Sequence, residues 1–77
     1  MVYQLDDYRV AWGSMESQVM SLGSRARNAL SEGDASTARS LIDEAHNVIK
    51  DYEDSELGIP EETPRIKKHI GRLEKLL

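Results

Sequence analysis

Apolar residues in the first part of the chain recur at alternating intervals of three and four: Leu5, Tyr8, Trp12, Met15, Val19, Leu22, Ala26 and Ala29. That spacing places them on one stripe of a single helix, predicted over residues 6–31. Asp6 is the expected N-cap, Leu5 and Val10 the expected staple across it, and Asp7 suits the positive end of the helix dipole. Gly13 is the weak point: glycine costs up to ~1 kcal/mol against alanine inside a helix, and Ser14 is placed to cap a restart.

Ser31-Glu32-Gly33-Asp34 then reads as a stop and a restart. Gly33 can adopt the left-handed conformation that closes a helix, and Asp34 can accept hydrogen bonds from the free amides of the next one. A second helix is predicted over 35–54, with Ala38, Leu41, Ile42, Ala45, Val48, Ile49 and Tyr52 on one face. Folding the chain back at Gly33-Asp34 sets Leu30 opposite Ala38, Ala26 opposite Ile42 and Leu22 opposite Ala45. The same register sets Val19 opposite Ile49 and Met15 opposite Tyr52. Large meets small where the helices approach, as close packing requires, and a short loop makes antiparallel neighbours.

Glu56 to Glu62 is a connection punctuated by Gly58 and Pro60, with Leu57 and Ile59 apolar enough to tuck under the open end of the hairpin. Thr63 and Pro64 restart a helix as N-cap and first helical residue, and Ile66, Ile70, Leu73 and Leu77 form its stripe over 64–77. The expectation is therefore all-α: one domain, 1–77, a three-helix bundle built on an antiparallel helical hairpin. Helix 1 would be ~37 Å long and helix 3 only ~21 Å. Helix 2 would end near the level of Trp12, leaving Tyr3, Tyr8 and Trp12 in an overhang.

Composition narrows the picture. The 77 residues carry no Phe and no Cys, so the core is aliphatic and alanine-rich, and disulfides and thiolate zinc sites are excluded. No apolar run approaches the ~20 residues of a membrane span, and Asp6 and Asp7 stand where a signal peptide would be basic. A cytoplasmic protein is expected. A chain this short is marginal as a monomer, so self-association would help it.

The net charge of −4 is unevenly spread. Glu32, Asp34, Asp43, Glu44, Asp51, Glu53, Asp54, Glu56, Glu61 and Glu62 crowd the middle; Arg65, Lys67, Lys68, Arg72 and Lys75 crowd the end. The simplest reading sets the basic third helix beside the acidic second. The alternative is a basic tail that binds a partner.

Two surfaces stand out. Aromatic residues bury large area at low entropic cost, so Tyr3, Tyr8, Trp12 and Tyr52, with Leu57 and Ile59, are candidates for an interface. Arg65, Lys68, Arg72 and Lys75 form a basic stripe that could track phosphates or an acidic partner. No catalytic, metal or cofactor residues are assigned. His46, placed near the seam, and His69, placed on the surface, lack the convergent partners a metal needs, and a thin bundle offers no cleft for a small-molecule substrate.

From Ala29 onward, Leu30-Ser-Glu-Gly-Asp34 before an alanine-bearing helix and the closing Ile66-to-Leu77 segment resemble microtubule-interacting-and-transport modules in their helical patterning. That resemblance implies a three-helix bundle with an inter-helix groove for a partner helix; the long, aromatic-rich first helix departs from it. The functional expectation is a non-enzymatic module that forms a homodimer or binds a protein partner. The alternative is a nucleic-acid-associated accessory protein using the basic face of helix 3.

Overall fold

The computed structural model describes residues 3–77, arranged as α1 (Leu5–Ser31), α2 (Ala35–Asp54), a short 3-10 turn (Pro60–Glu62) and α3 (Pro64–Glu74). The molecule is an elongated three-helix bundle, 48 × 17 × 15 Å.

α1 runs unbroken through Gly13, where an added Cβ would meet nothing within 4 Å. It starts earlier than expected. Gln4, not Asp6, occupies the capping position, and the Asp7 carboxylate accepts the Gln4 amide N–H at 2.9 Å. Leu5 thereby becomes the first helical residue, so the expected staple is lost; Leu5 and Val10 are 75% and 70% exposed.

The turn closes as its chemistry dictates. Gly33 has φ +77°, its N–H donates to Leu30 O at 3.0 Å, and the Asp34 N–H donates to Ala29 O at 2.9 Å. These paired bonds satisfy carbonyls that the end of α1 would leave free. Asp34 then caps α2, accepting from Thr37 N at 3.1 Å and Thr37 Oγ1 at 2.7 Å. Those two bonds, the hydroxyl's first, hold the Asp34 carboxyl below its ordinary pKa.

Met15, Val19, Leu22, Ala26 and Ala29 of α1 are buried, as are Ala38, Leu41, Ile42, Ala45, Ile49 and Tyr52 of α2. Ile66, Ile70 and Leu73 of α3 complete the core. Full burial of a side chain such as Val19, Ile42, Ile49 or Ile70 stabilises by ~1.5–3 kcal/mol.

α3 runs antiparallel to α2 and parallel to α1. Gly23 makes room for it: a Cβ there would lie 3.2 Å from Leu73 Cδ1 and 3.6 Å from Ile70 Cδ1. The glycine thus serves the α1–α3 contact rather than the Leu22–Ala45 seam. α3 ends at Glu74, short of the expected Leu77, because its last turn tightens into the bonds Leu76 N–H to Leu73 O and Leu77 N–H to Glu74 O, both 3.0 Å. Leu77 still packs on the core, whereas Leu76 is 64% exposed. No helix in the described residues is long and apolar enough to cross a membrane.

Candidate interaction surface

Two polar ties fix α3 on α2. The Glu53 carboxylate accepts from Lys67 Nζ at 2.8 Å and from Thr63 Oγ1 at 2.5 Å. Lys67, then Thr63, holds Glu53 below the usual carboxylate range. Farther along, His46 Nε2 pairs with Glu74 Oε1. The predicted meeting of acidic α2 with basic α3 is realised here, through a different base from those of the stripe. Arg65, Lys68, Arg72 and Lys75 are all exposed, and none makes an ion pair among the described residues.

Thr63 stands at the N-cap position but does not cap with its side chain. It is fully buried, and its hydroxyl lies within hydrogen-bonding reach of Glu53 and, at 2.8 Å, of Pro60 O. Lys67, Glu53 and Thr63 were absent from the site residues read from sequence. Lys67 and Glu53 each stand next to a core position, Ile66 and Tyr52, and that flanking placement is the available signal; Thr63 is itself buried, and no sequence pattern marks it.

At the open end the structure brings the aromatic candidates together in two pairs. Tyr3 and Tyr8 meet edge to face at 6.3 Å, and Trp12 meets Tyr52 likewise at 5.8 Å. Tyr3 also donates its hydroxyl to Glu56 Oε2 at 2.6 Å, and this bond to a carboxylate raises its pKa above the ordinary phenol value. Tyr52 is buried, so it forms part of the floor beneath Trp12 instead of an exposed surface. Leu57 and Ile59 are half-buried, and Ile59 lines a hollow with Leu5, Tyr8 and Trp12 of α1.

Trp12 itself is half-buried, and it walls three adjoining hollows between α1 and the 3-10 turn and α3. One, about 210 Å³, is lined by Leu5, Tyr8, Arg9, Trp12, Ile59 and Glu62. Another, also about 210 Å³, is lined by Trp12, Glu16, Met20, Arg65, Ile66 and His69. The third, about 450 Å³, is lined by Trp12, Glu61, Glu62, Pro64 and Arg65. His69 is therefore half-buried in the α1–α3 crevice, not on the open surface. Leu5 at one end and Met20 at the other are 75% and 46% exposed.

Around Trp12 this surface mixes aromatic, apolar and charged side chains: Arg9, Glu16, Glu62 and Arg65 share the hollows with the indole, and Leu5 and Met20 lie at its two ends. The opposite groove, between α1 and α2, is of mixed character: Ser14, Ser17, Gln18, Ser21 and Asp51 share its lining with Ala11, Met15, Leu22, Val48 and Tyr52. No group of three or more His, Cys, Asp or Glu side chains among the described residues could hold a metal ion.

Fold and surface define the chain as an all-α three-helix bundle. Comparison with protein-family models, curated proteins and solved structures finds no match. The likeness to microtubule-interacting-and-transport modules accordingly rests on helical patterning alone.

Proposed function

We propose that the protein is a non-enzymatic interaction module that docks on protein through the α1–α3 face around Trp12. The observation that carries this reading is the half-exposed indole at the junction of three hollows, with Leu5 and Met20 exposed on either side. Tryptophan and arginine dominate binding energy where they sit centrally in a patch, and Trp12 is so placed, with Arg9 and Arg65 beside it. A chain without cysteine suits a reducing compartment such as the cytoplasm.

The test is capture from an extract of the native source, with immobilised wild type compared with Met20→Glu and with Arg39→Glu, a change on the exposed side of α2. A second, differently tagged copy of the chain is added to the extract. Retention of a protein by wild type and Arg39→Glu but not by Met20→Glu supports the reading. Capture that ignores Met20→Glu, or none at all, refutes it.

One observation favours a second reading, a nucleic-acid accessory role: Arg65, Lys68, Arg72 and Lys75 lie exposed on α3 without acidic partners among the described residues. Retention of a duplex or single-stranded fragment at low salt, weakened by Arg72→Glu and by added salt, is its required outcome. The net charge of −4 opposes it.

A further inference from the structure

The exposed face of α1 reads the same in both directions. Leu5, Arg9, Trp12, Gly13, Glu16 and Met20 fall within ~100° of the helix circumference, a single stripe that borders the core along its Trp12 edge. From either end the order is a long apolar side chain, a charge, and then the Trp12-Gly13 pair. The charges are opposite, Arg9 on one side and Glu16 on the other. The facing edge repeats the scheme: Ile59 and Glu62 line the hollow at the Leu5 end, and Arg65 and Ile66 line the hollow at the Met20 end.

A surface of this kind is complementary to itself under a two-fold rotation, which is what an isologous dimer interface demands. We infer that the occupant of this face is a second copy of the chain, with the two α1 helices packed antiparallel about a dyad at Trp12-Gly13. This inference rests on the docking role proposed for the face and names its partner. In that register Leu5 lies over the partner copy's Met20 position and Arg9 over its Glu16 position. Trp12, on the α3 side of the stripe, lies beside the second copy's Trp12 close to the dyad, and Gly13, ~100° further round the helix, flanks that pair on the open side. The dyad keeps the α3 edges on the same side, so Glu62 of one copy meets the Arg65 position of the other. A parallel arrangement would set Arg9 on Arg9 and Glu16 on Glu16.

The size of the patch sets the strength. Leu5–Met20 spans ~23 Å at ~1.5 Å per residue, and the molecule is at most 17 Å across its long axis, so each copy contributes roughly 400 Å² at most, about half a standard interface. The expected dimer is weak and reversible, with dissociation in the micromolar range or above.

Arg9 and Glu16 are exposed and make no ion pair or side-chain hydrogen bond within the described chain, so reversing either leaves the fold intact, as circular dichroism will verify. By sedimentation, Arg9→Glu and Glu16→Arg are each expected to weaken self-association about tenfold, because each turns two symmetry-related attractions into repulsions. An equimolar mixture of the two variants, and the double variant R9E/E16R, are expected to recover it. The chain is free of cysteine, so register is read directly: Leu5→Cys mixed with Met20→Cys should form disulfide-linked dimers on mild oxidation, and Leu5→Cys alone should not.

A wild type that stays monomeric to millimolar concentration overturns the inference. So does a dimer indifferent to both charge reversals, or one in which Leu5→Cys links to itself. Face-dependent capture of a different protein, with the tagged second copy left behind, overturns the dimer and leaves the docking role standing. Loss of all Met20-dependent capture removes both.

Discussion

Gly58 offers a stability test whose sign is set by geometry alone. A Cβ built on Gly58 would stand 1.7 Å from the Tyr52 carbonyl oxygen and 2.8 Å from its carbonyl carbon, against a limit of 3.0 Å that real Cβ atoms respect. The obstacle is backbone, so no side-chain rotation relieves it. The same carbonyl accepts the Ser55 N–H at 3.1 Å and the Ser55 hydroxyl at 2.7 Å, and Gly58 N–H donates to Ser55 O at 3.1 Å. Gly58→Ala must therefore displace the end of α2 and loosen the bonds that terminate it. Overpacking of this kind costs ~1–3 kcal/mol, and each weakened hydrogen bond adds ~1, so the expected loss is ~2–4 kcal/mol.

Against a total stability of ~4–12 kcal/mol for a chain this long, that loss is large, and it corresponds to a fall in Tm of roughly 12–25 °C. Gly13→Ala is the counterpart, since its Cβ enters open space in mid-helix. It should stabilise by ~0.5–1 kcal/mol. Urea unfolding of both variants, followed by helical circular dichroism at low micromolar protein, measures the two effects side by side. A Gly58→Ala variant within ~0.5 kcal/mol of wild type would refute the reasoning, as would a destabilising Gly13→Ala.

Three further outcomes are expected. Ala45 is fully buried in the α1–α2 seam, so Ala45→Leu should destabilise by ~1–3 kcal/mol, and a neutral result would mean that the helices pack in another register. Glu53 has its pKa lowered by Lys67 and Thr63, so its contribution is fully present above its unfolded pKa of ~4.3 and is lost as pH falls through the lower folded value. Glu53→Gln should accordingly be less stable than wild type at neutral pH, with urea midpoints converging below about pH 4; a gap that persists unchanged into acid would contradict the tie. Ultraviolet titration should find Tyr3 ionising above the usual ~10, and Glu56→Gln should bring it back; a titration curve unaltered by Glu56→Gln would exclude the Tyr3–Glu56 bond.

The hairpin was legible because its determinants are local. Gly33 and Asp34 act on the residues beside them, and the apolar stripes of α1 and α2 need only a short turn to find each other. Helix 2 begins and ends where its pattern predicts, at Ala35 and Asp54. Misreadings cluster where tertiary contact decides. The periodicity of α3 identifies a basic stripe, yet which base meets α2 depends on the rotation of α3 about its own axis. Ile66, Ile70 and Leu73 set that rotation when they enter the groove, and Lys67 is the base it carries to Glu53. Thr63 has the composition of a cap, but its position beneath Glu53 diverts the hydroxyl. Asp6 lost the N-cap to Gln4 because Asp7 reaches back to the Gln4 amide, an exchange worth too little for composition to reveal. The hollows around Trp12 had no counterpart in any linear pattern, since their walls come from α1, the 3-10 turn and α3 together.

The brevity of α3 has a consequence for how the molecule breathes. Helices below ~12–15 residues are marginal alone in water, and α3 has 11, so its helicity depends on staying docked. α1 and α2 are longer and are joined by a self-terminating turn. Opening thus has an order: α3 departs first as a cooperative unit, releasing Lys67 from Glu53 and removing one wall of the Trp12 hollows, while the hairpin persists. Amide hydrogens of α3 should exchange with solvent well ahead of those in the Val19–Ile49 layer. The Trp12 face therefore exists only while the least durable element is in place. A partner bound on that face would slow exchange in α3 and, because global unfolding also releases it, would slow the hairpin's most protected amides by the same factor.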